Sequence, residues 1–181
     1  MANKNEKKYE PLLFQAVNED NLTFDEAFQR IRTFVEKDPI GNYRLMIGTD
    51  SQVHGKYTVF ATMLIIHKEG KPPWSCTRKV KYNRKFDNLH EKISTETSYT
   101  EEIAYLLSET HKQTLHDILL PYVYQGSNIS IEGHIDIGPE AKSKTNVFVR
   151  EMMSRIKSAG LEPKIKPFST AASSGANWHT K

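Results

Sequence analysis

The chain has 181 residues, 38% hydrophobic and 26% charged, with a formal charge of +3 and a mean hydropathy of -0.60. That length suits one domain with a full core, and no apolar run approaches the ~18 residues needed to span a bilayer. A single cysteine, Cys76, excludes an internal disulfide and a cysteine-rich zinc site, and so small a net charge does not by itself define a nucleic-acid binder.

The opening residues, Met1 to Lys8, are polar with no apolar segment behind them, so no signal peptide is expected and the cytoplasm is the default location. Residues 1–21 read as a flexible N-terminal arm on which only Leu12, Leu13, Phe14 and Val17 offer docking groups. Residues 22–181 read as one domain. Thr23 and Glu26 form a capping box. Behind it Phe24, Ala27, Phe28, Ile31 and Val35 make one helical stripe, which Asp38-Pro39 ends.

Gly41-Asn42 turns the chain into Tyr43-Arg44-Leu45-Met46-Ile47-Gly48-Thr49-Asp50, an apolar strand that runs into a carboxylate. A turn-like stretch from Ser51 to Lys56 follows. Two further strands come next, Tyr57 to His67 and Ser75 to Asn83, joined by the turn Glu69-Gly70-Lys71-Pro72-Pro73. Together they predict a three-stranded antiparallel meander. Cys76 reads as packing.

From Ile93 to Leu120 the periodicity is helical, and Pro121 closes the segment. Ile129, Ile131, Ile135 and Ile137 alternate with Ser130, Glu132, His134 and Asp136, as in a half-buried strand. A loop with Lys142 and Lys144 leads to a helix bearing Val147, Val149, Met152, Met153 and Ile156, and then to a short strand from Pro163 to Phe168. The order predicts an α/β fold with a mixed five-stranded sheet. Its fourth and fifth strands run parallel to the first, and helices cover both faces.

Ligands of open α/β sheets gather beyond the carboxyl ends of parallel strands. Asp50 and Asp136 both fall there, and on neighbouring strands ~4.8 Å apart they could share a divalent ion. A third acid lies on the long helix. At ~100° per residue, Glu96 projects about 20° from the buried Ile103, whereas Glu101 is nearly opposite. A glutamate on a core face is unexpected unless it lines a site. His134 shares a strand face with Asp136 and could support it, but a satisfied structural histidine is the preferred reading; His111 and His116 also read as structural.

Arg78, Lys79, Lys81, Arg84 and Lys85 cluster on the third strand and its exit. They fit either a charged edge that prevents strand pairing or a phosphate-binding surface for a nucleic-acid backbone. No glycine-rich phosphate loop of recognised spacing is present. That argues against a nucleotide cofactor and against an actin-like or sugar-kinase domain.

The order of elements resembles the ribonuclease H-like fold. More narrowly, Ile47-Gly48-Thr49-Asp50-Ser51-Gln52, His134-Ile135-Asp136-Ile137-Gly138 and Lys166-Pro167…Ala171-Ala172-Ser173 are similar to the YkuK-type predicted ribonuclease H-like nucleases, over roughly residues 40–181. The resemblance implies that Asp50, Glu96 and Asp136 bind Mg²⁺ or Mn²⁺, and that the protein hydrolyses phosphodiester bonds in RNA, an RNA–DNA hybrid or structured nucleic acid. It also implies a fourth acid near the end, in an Ala-Asp-x-x-Thr context. Here Ala176-Asn177-Trp178-His179-Thr180 stands instead. Asn177 offers a carbonyl oxygen without charge, and His179 offers a ligand or proton shuttle. The alternative is a catalytically degenerate domain that binds RNA or a protein or ribosomal partner without cutting.

Overall fold

In the computed structural model, which describes residues 11–138 and 144–173, the sheet is built outward from the predicted central strand. β3 (Asn42–Val53) pairs antiparallel with β4 (Thr58–Lys68), which pairs antiparallel with β5 (Trp74–Tyr82). On its other side β3 pairs parallel with β6 (Asn128–His134), which pairs parallel with β7 (Glu162–Lys164). The meander and both parallel strands stand as the sequence predicts.

The sheet has seven strands rather than five, in the order β2-β1-β5-β4-β3-β6-β7. The two additional strands, β1 (Phe14–Ala16) and β2 (Glu19–Leu22), come from the stretch read as an arm. They are only three and four residues long, and Glu19-Asp20-Asn21 carries no apolar alternation. What holds them is Phe14 and Leu22, which face each other across the hairpin and are both buried.

α1 (Phe24–Glu36) begins with the predicted capping box: Glu26 N donates to Thr23 Oγ1 and Thr23 N donates to Glu26 Oε2. The expected single long helix is two, α2 (Leu89–Leu106) and α3 (Glu109–Leu119). The break falls at Ser108, which caps α3 through a reciprocal pair of bonds with His111. α4 (Lys144–Ser158) and the short α5 (Thr170–Ser173) complete the fold.

Tyr43, Leu45 and Ile47 of β3 pack with apolar groups of α1 to α4 in one continuous core. Each fully buried side chain of this size stabilises by about 1.5–3 kcal/mol. Gly133 of β6 lies under α4, where an added Cβ would stand 2.4 Å from Ile156. α5 covers the opposite sheet face. There Thr170 lies against Met46, and Ala171 N donates to His134 Nδ1. No helix among the described residues is long and apolar enough to cross a membrane.

Candidate active site

Asp50 owes its setting to unequal strand lengths. β6 ends at His134, opposite Gly48, while β3 continues to Val53 through the stretch read as a turn. Asp50 and Asp136 therefore each lie two residues beyond Gly48 and His134, the last paired residues of the adjacent parallel strands. Asp50 Oδ1 accepts a 2.7 Å bond from Ser51 N. Asp136 follows the strand's end, and the Lys166 ammonium lies 2.8 Å from its Oδ1. That contact is an ion pair only, because Oδ1 is buried and takes part in no aligned hydrogen bond.

Glu96 comes from the opposite side of the sheet end. It is 7% exposed, as the inward face predicted for it requires. Ser51 Oγ donates to its Oε1 at 2.6 Å, and Lys92 stands one turn back at 3.9 Å. Thr49 lies within hydrogen-bonding distance of Thr62 and Thr100, so hydroxyls tie α2 to the sheet just below Glu96. Glu96, Asp136, His134 and Thr49 line one narrow crevice.

Two of the three acids are raised above their ordinary range. Burial pushes Glu96 up to about 7, against the lowering effects of Ser51 and Lys92, and Asp50 and Asp136 add to the rise. Burial likewise raises Asp50; the Ser51 amide opposes it and Asp136 reinforces it. Among the described residues no three histidine, cysteine or acidic side chains form a ready-made coordination cage.

His134 has the structural role preferred for it from the sequence, with partners that periodicity does not show. Because Nδ1 accepts from Ala171 N, the ring's proton is on Nε2, which donates to Glu132 Oε2 at 2.8 Å. Arg44 binds both oxygens of Glu132, and Ser130 donates to Oε1. Burial works to raise Glu132, but the bonds from His134, Arg44 and Ser130 outweigh it and hold the carboxyl far below its ordinary value. Both His134 nitrogens are engaged, so the ring offers no lone pair to a metal.

The basic cluster divides between the two sheet faces. Arg78 is 5% exposed and bonded to Glu102 of α2, so it is turned into the helical layer. Lys79 and Lys81 face the other way. Register places Asp50, Ala61 and Lys79 in one row and Gln52, Val59 and Lys81 in the next, on the face that carries Asp50. Lys81 lies 4.0 Å over the Tyr57 ring. Arg84 pairs with Glu91, and Lys85 is exposed. Asn177 and His179 lie outside the described residues.

A mixed sheet with a central antiparallel meander, parallel strands beside it and an inward helical glutamate defines a ribonuclease H-like architecture. The chain belongs to that family: the family described as Ribonuclease H-like matches residues 26–181. More particularly, it is 43% identical over 169 residues to the Uncharacterized protein YkuK of Bacillus subtilis (strain 168). The match spans 93% of this chain and 97% of that protein, in keeping with the YkuK-type resemblance of its motifs. No solved structure matches the chain.

Proposed function

We propose that the protein is a divalent-metal-dependent nuclease hydrolysing phosphodiester bonds in RNA, an RNA–DNA hybrid or structured nucleic acid. The observation that carries this reading is the gathering of three carboxylates at one sheet end: Glu96 and Asp136 line one crevice, and Asp136 lies close enough to Asp50 to raise it. The donor set is all oxygen and hard, which suits Mg²⁺ or Mn²⁺. The buried Asp136 Oδ1, without a hydrogen bond of its own, supplies an oxygen for such an ion.

Asp50 and Asp136 would hold the ion from adjacent strands, and Glu96 would complete the set or orient the attacking water. A bound ion supplies an activated water and stabilises the leaving oxygen. Asn177 and His179 are proposed to contribute from the C-terminal segment. Lys79 and Lys81, on the Asp50 face, suit the phosphate backbone of the substrate.

The test is cleavage of single-stranded RNA, hybrid and junction substrates with Mg²⁺ or Mn²⁺. Asp50→Asn should abolish cleavage with little change in thermal stability. If the wild-type protein cuts none of these substrates with either ion, the reading fails.

A second reading is a degenerate domain that binds RNA or a protein or ribosomal partner. The Lys166–Asp136 pair favours it, because an internal cation already stands where a divalent ion would bind. It predicts salt-sensitive RNA binding that EDTA leaves unchanged.

A further inference from the structure

The end of the sheet remote from Asp50 holds a second concave site. Tyr43, the second residue of β3, stands seven residues before Asp50, about 23 Å away at ~3.3 Å per residue. Around it, the last turn of α1 and the β4–β5 turn line an open cavity of about 360 Å³, within the ~300–1,000 Å³ usual for small-ligand sites. None of its residues belongs to the carboxylate site.

Its walls are aromatic. Phe34 and Tyr43 meet edge to face, with ring centroids 6.4 Å apart at 88°, and Trp74 completes the lining. Tyr43 is buried and fixed, its hydroxyl donating to the Asp38 carbonyl. Phe34 and Trp74 are only partly covered, so ring surface remains available for stacking.

The rim is cationic, and its four cations are not equivalent. Lys68 is ion-paired with Asp38 at 2.5 Å, and Arg30 is taken up by Glu19. Lys37 and Lys71 are exposed and make no ion pair among the described residues; Lys71 acts on Asp38 only at longer range. The C-terminal end of α1 carries partial negative charge, which disfavours an anion directly against the helix. An anion therefore belongs at the rim, within reach of Lys37 and Lys71, which both line the cavity, with the apolar part of the ligand against Phe34 and Trp74.

We propose that this cavity binds a nucleotide unit, its base stacked on Trp74 and Phe34 and its phosphate held by Lys37 and Lys71. Base–aromatic stacking beside a cationic groove is how proteins hold single nucleotides of a strand without reading sequence. The site needs no glycine-rich loop, so the lack of one in the sequence does not bear on it. A free nucleotide and a nucleotide within a strand present the same chemistry. The assignment does not rest on the cleavage reading.

The test is calorimetric titration of the full chain with 5′-AMP and with a single-stranded adenylate octamer, at low salt with EDTA so that the carboxylate site takes no part. Lys37→Ala/Lys71→Ala should weaken binding at least ten-fold, as should Trp74→Leu, and Asp50→Asn should leave it unchanged. Adenosine, inorganic phosphate and phenyl phosphate should each bind at least ten-fold more weakly than AMP. Binding of AMP supports a pocket for free nucleotide. Binding of the octamer alone, weakened by the same variants, supports a subsite for a strand. The proposal is overturned if neither probe binds, if the variants bind as wild type does, or if AMP binds and adenosine, phosphate or phenyl phosphate binds as tightly. The lysine variant changes only exposed side chains, so it decides the matter even if Trp74→Leu does not fold.

Discussion

Ser51 Oγ donates a 2.6 Å hydrogen bond to Glu96 Oε1, tying the strand that carries Asp50 to the helix packed over it. One residue thereby serves two of the three acids: the Ser51 amide donates to Asp50, and its hydroxyl donates to Glu96, 45 residues further along the chain. Without that hydroxyl the buried carboxylate would keep Lys92, 3.9 Å away, as its nearest cation. A hydrogen bond to a charged group contributes about 1.5–3 kcal/mol. Ser51→Ala should therefore destabilise the protein by about 1–2 kcal/mol at pH 8, where Glu96 is ionised. Ser51→Thr, which keeps the hydroxyl, should lose much less. Urea unfolding of the two variants side by side checks this, and equal losses would show that the bond contributes nothing.

Glu96 also sets a pH dependence. Its carboxyl is raised from an ordinary 4.5 to about 7, chiefly by burial, so the fold favours its protonated form. The stability this provides is complete below about 4.5 and is lost as pH rises through about 7. Over that interval the metal-free protein should lose on the order of 3 kcal/mol from this group. Glu96→Gln mimics the protonated acid and should flatten the profile between pH 5 and 7.5. An equal slope in wild type and variant, measured by denaturant unfolding in EDTA, would assign the loss to other groups.

The Arg44–Glu132 pair should matter more than its surface counterparts. Glu132 is nearly inaccessible, with 4% of its side chain exposed, whereas Arg84 and Glu91 are 44% and 45% exposed. Removing one partner of a buried pair leaves an uncompensated charge and costs ~3–5 kcal/mol; exposed pairs contribute about 0–1 kcal/mol. Arg44 is itself partly exposed and His134 still reaches Glu132, so Arg44→Met should cost about 2 kcal/mol. Arg84→Met should cost under about 0.5 kcal/mol. Melting temperatures of the two variants give the comparison, and similar shifts would count against the distinction.

Hydrophobic period and turn chemistry made the meander, the parallel β6 and the capping box of α1 legible in the sequence, because each is specified by residues close in the chain. Glu96 was legible for the same reason: its angle relative to Ile103 is local information. The split between α2 and α3 was not, because His111 occupies the place in the capping box where glutamate or glutamine is usual. The small hairpin escaped because its anchors, Phe14 and Leu22, act through tertiary burial rather than alternation. Glu132 and His134 fall on the polar face of a strand read as half-buried, and the network that joins them is not visible in that alternation. Their partners, Arg44 and the Ala171 amide, lie 88 and 37 residues away, and only sheet register and the docking of α5 bring them together. Arg78 shows the converse: a run of basic residues on a strand alternates between faces, so one sequence cluster supplies two surfaces.

Lys166 offers the sharpest test of what the acids hold. Its ammonium stands 2.8 Å from Asp136 Oδ1 while 47% of its side chain is exposed. A long, half-exposed lysine is readily displaced, and the pair itself contributes little to folding. If Asp136 is a metal ligand, the ammonium and the divalent ion compete for the same oxygen. Lys166→Met should then tighten Mn²⁺ binding by about three- to ten-fold, a gain of roughly 0.7–1.4 kcal/mol, with little change in melting temperature. Mn²⁺ titration followed by electron paramagnetic resonance measures the free ion directly. Unchanged or weaker Mn²⁺ binding in the variant would mean that Lys166 does not guard a metal position. The pair with Asp136 would then be a fixed part of the fold, as the reading without cleavage requires.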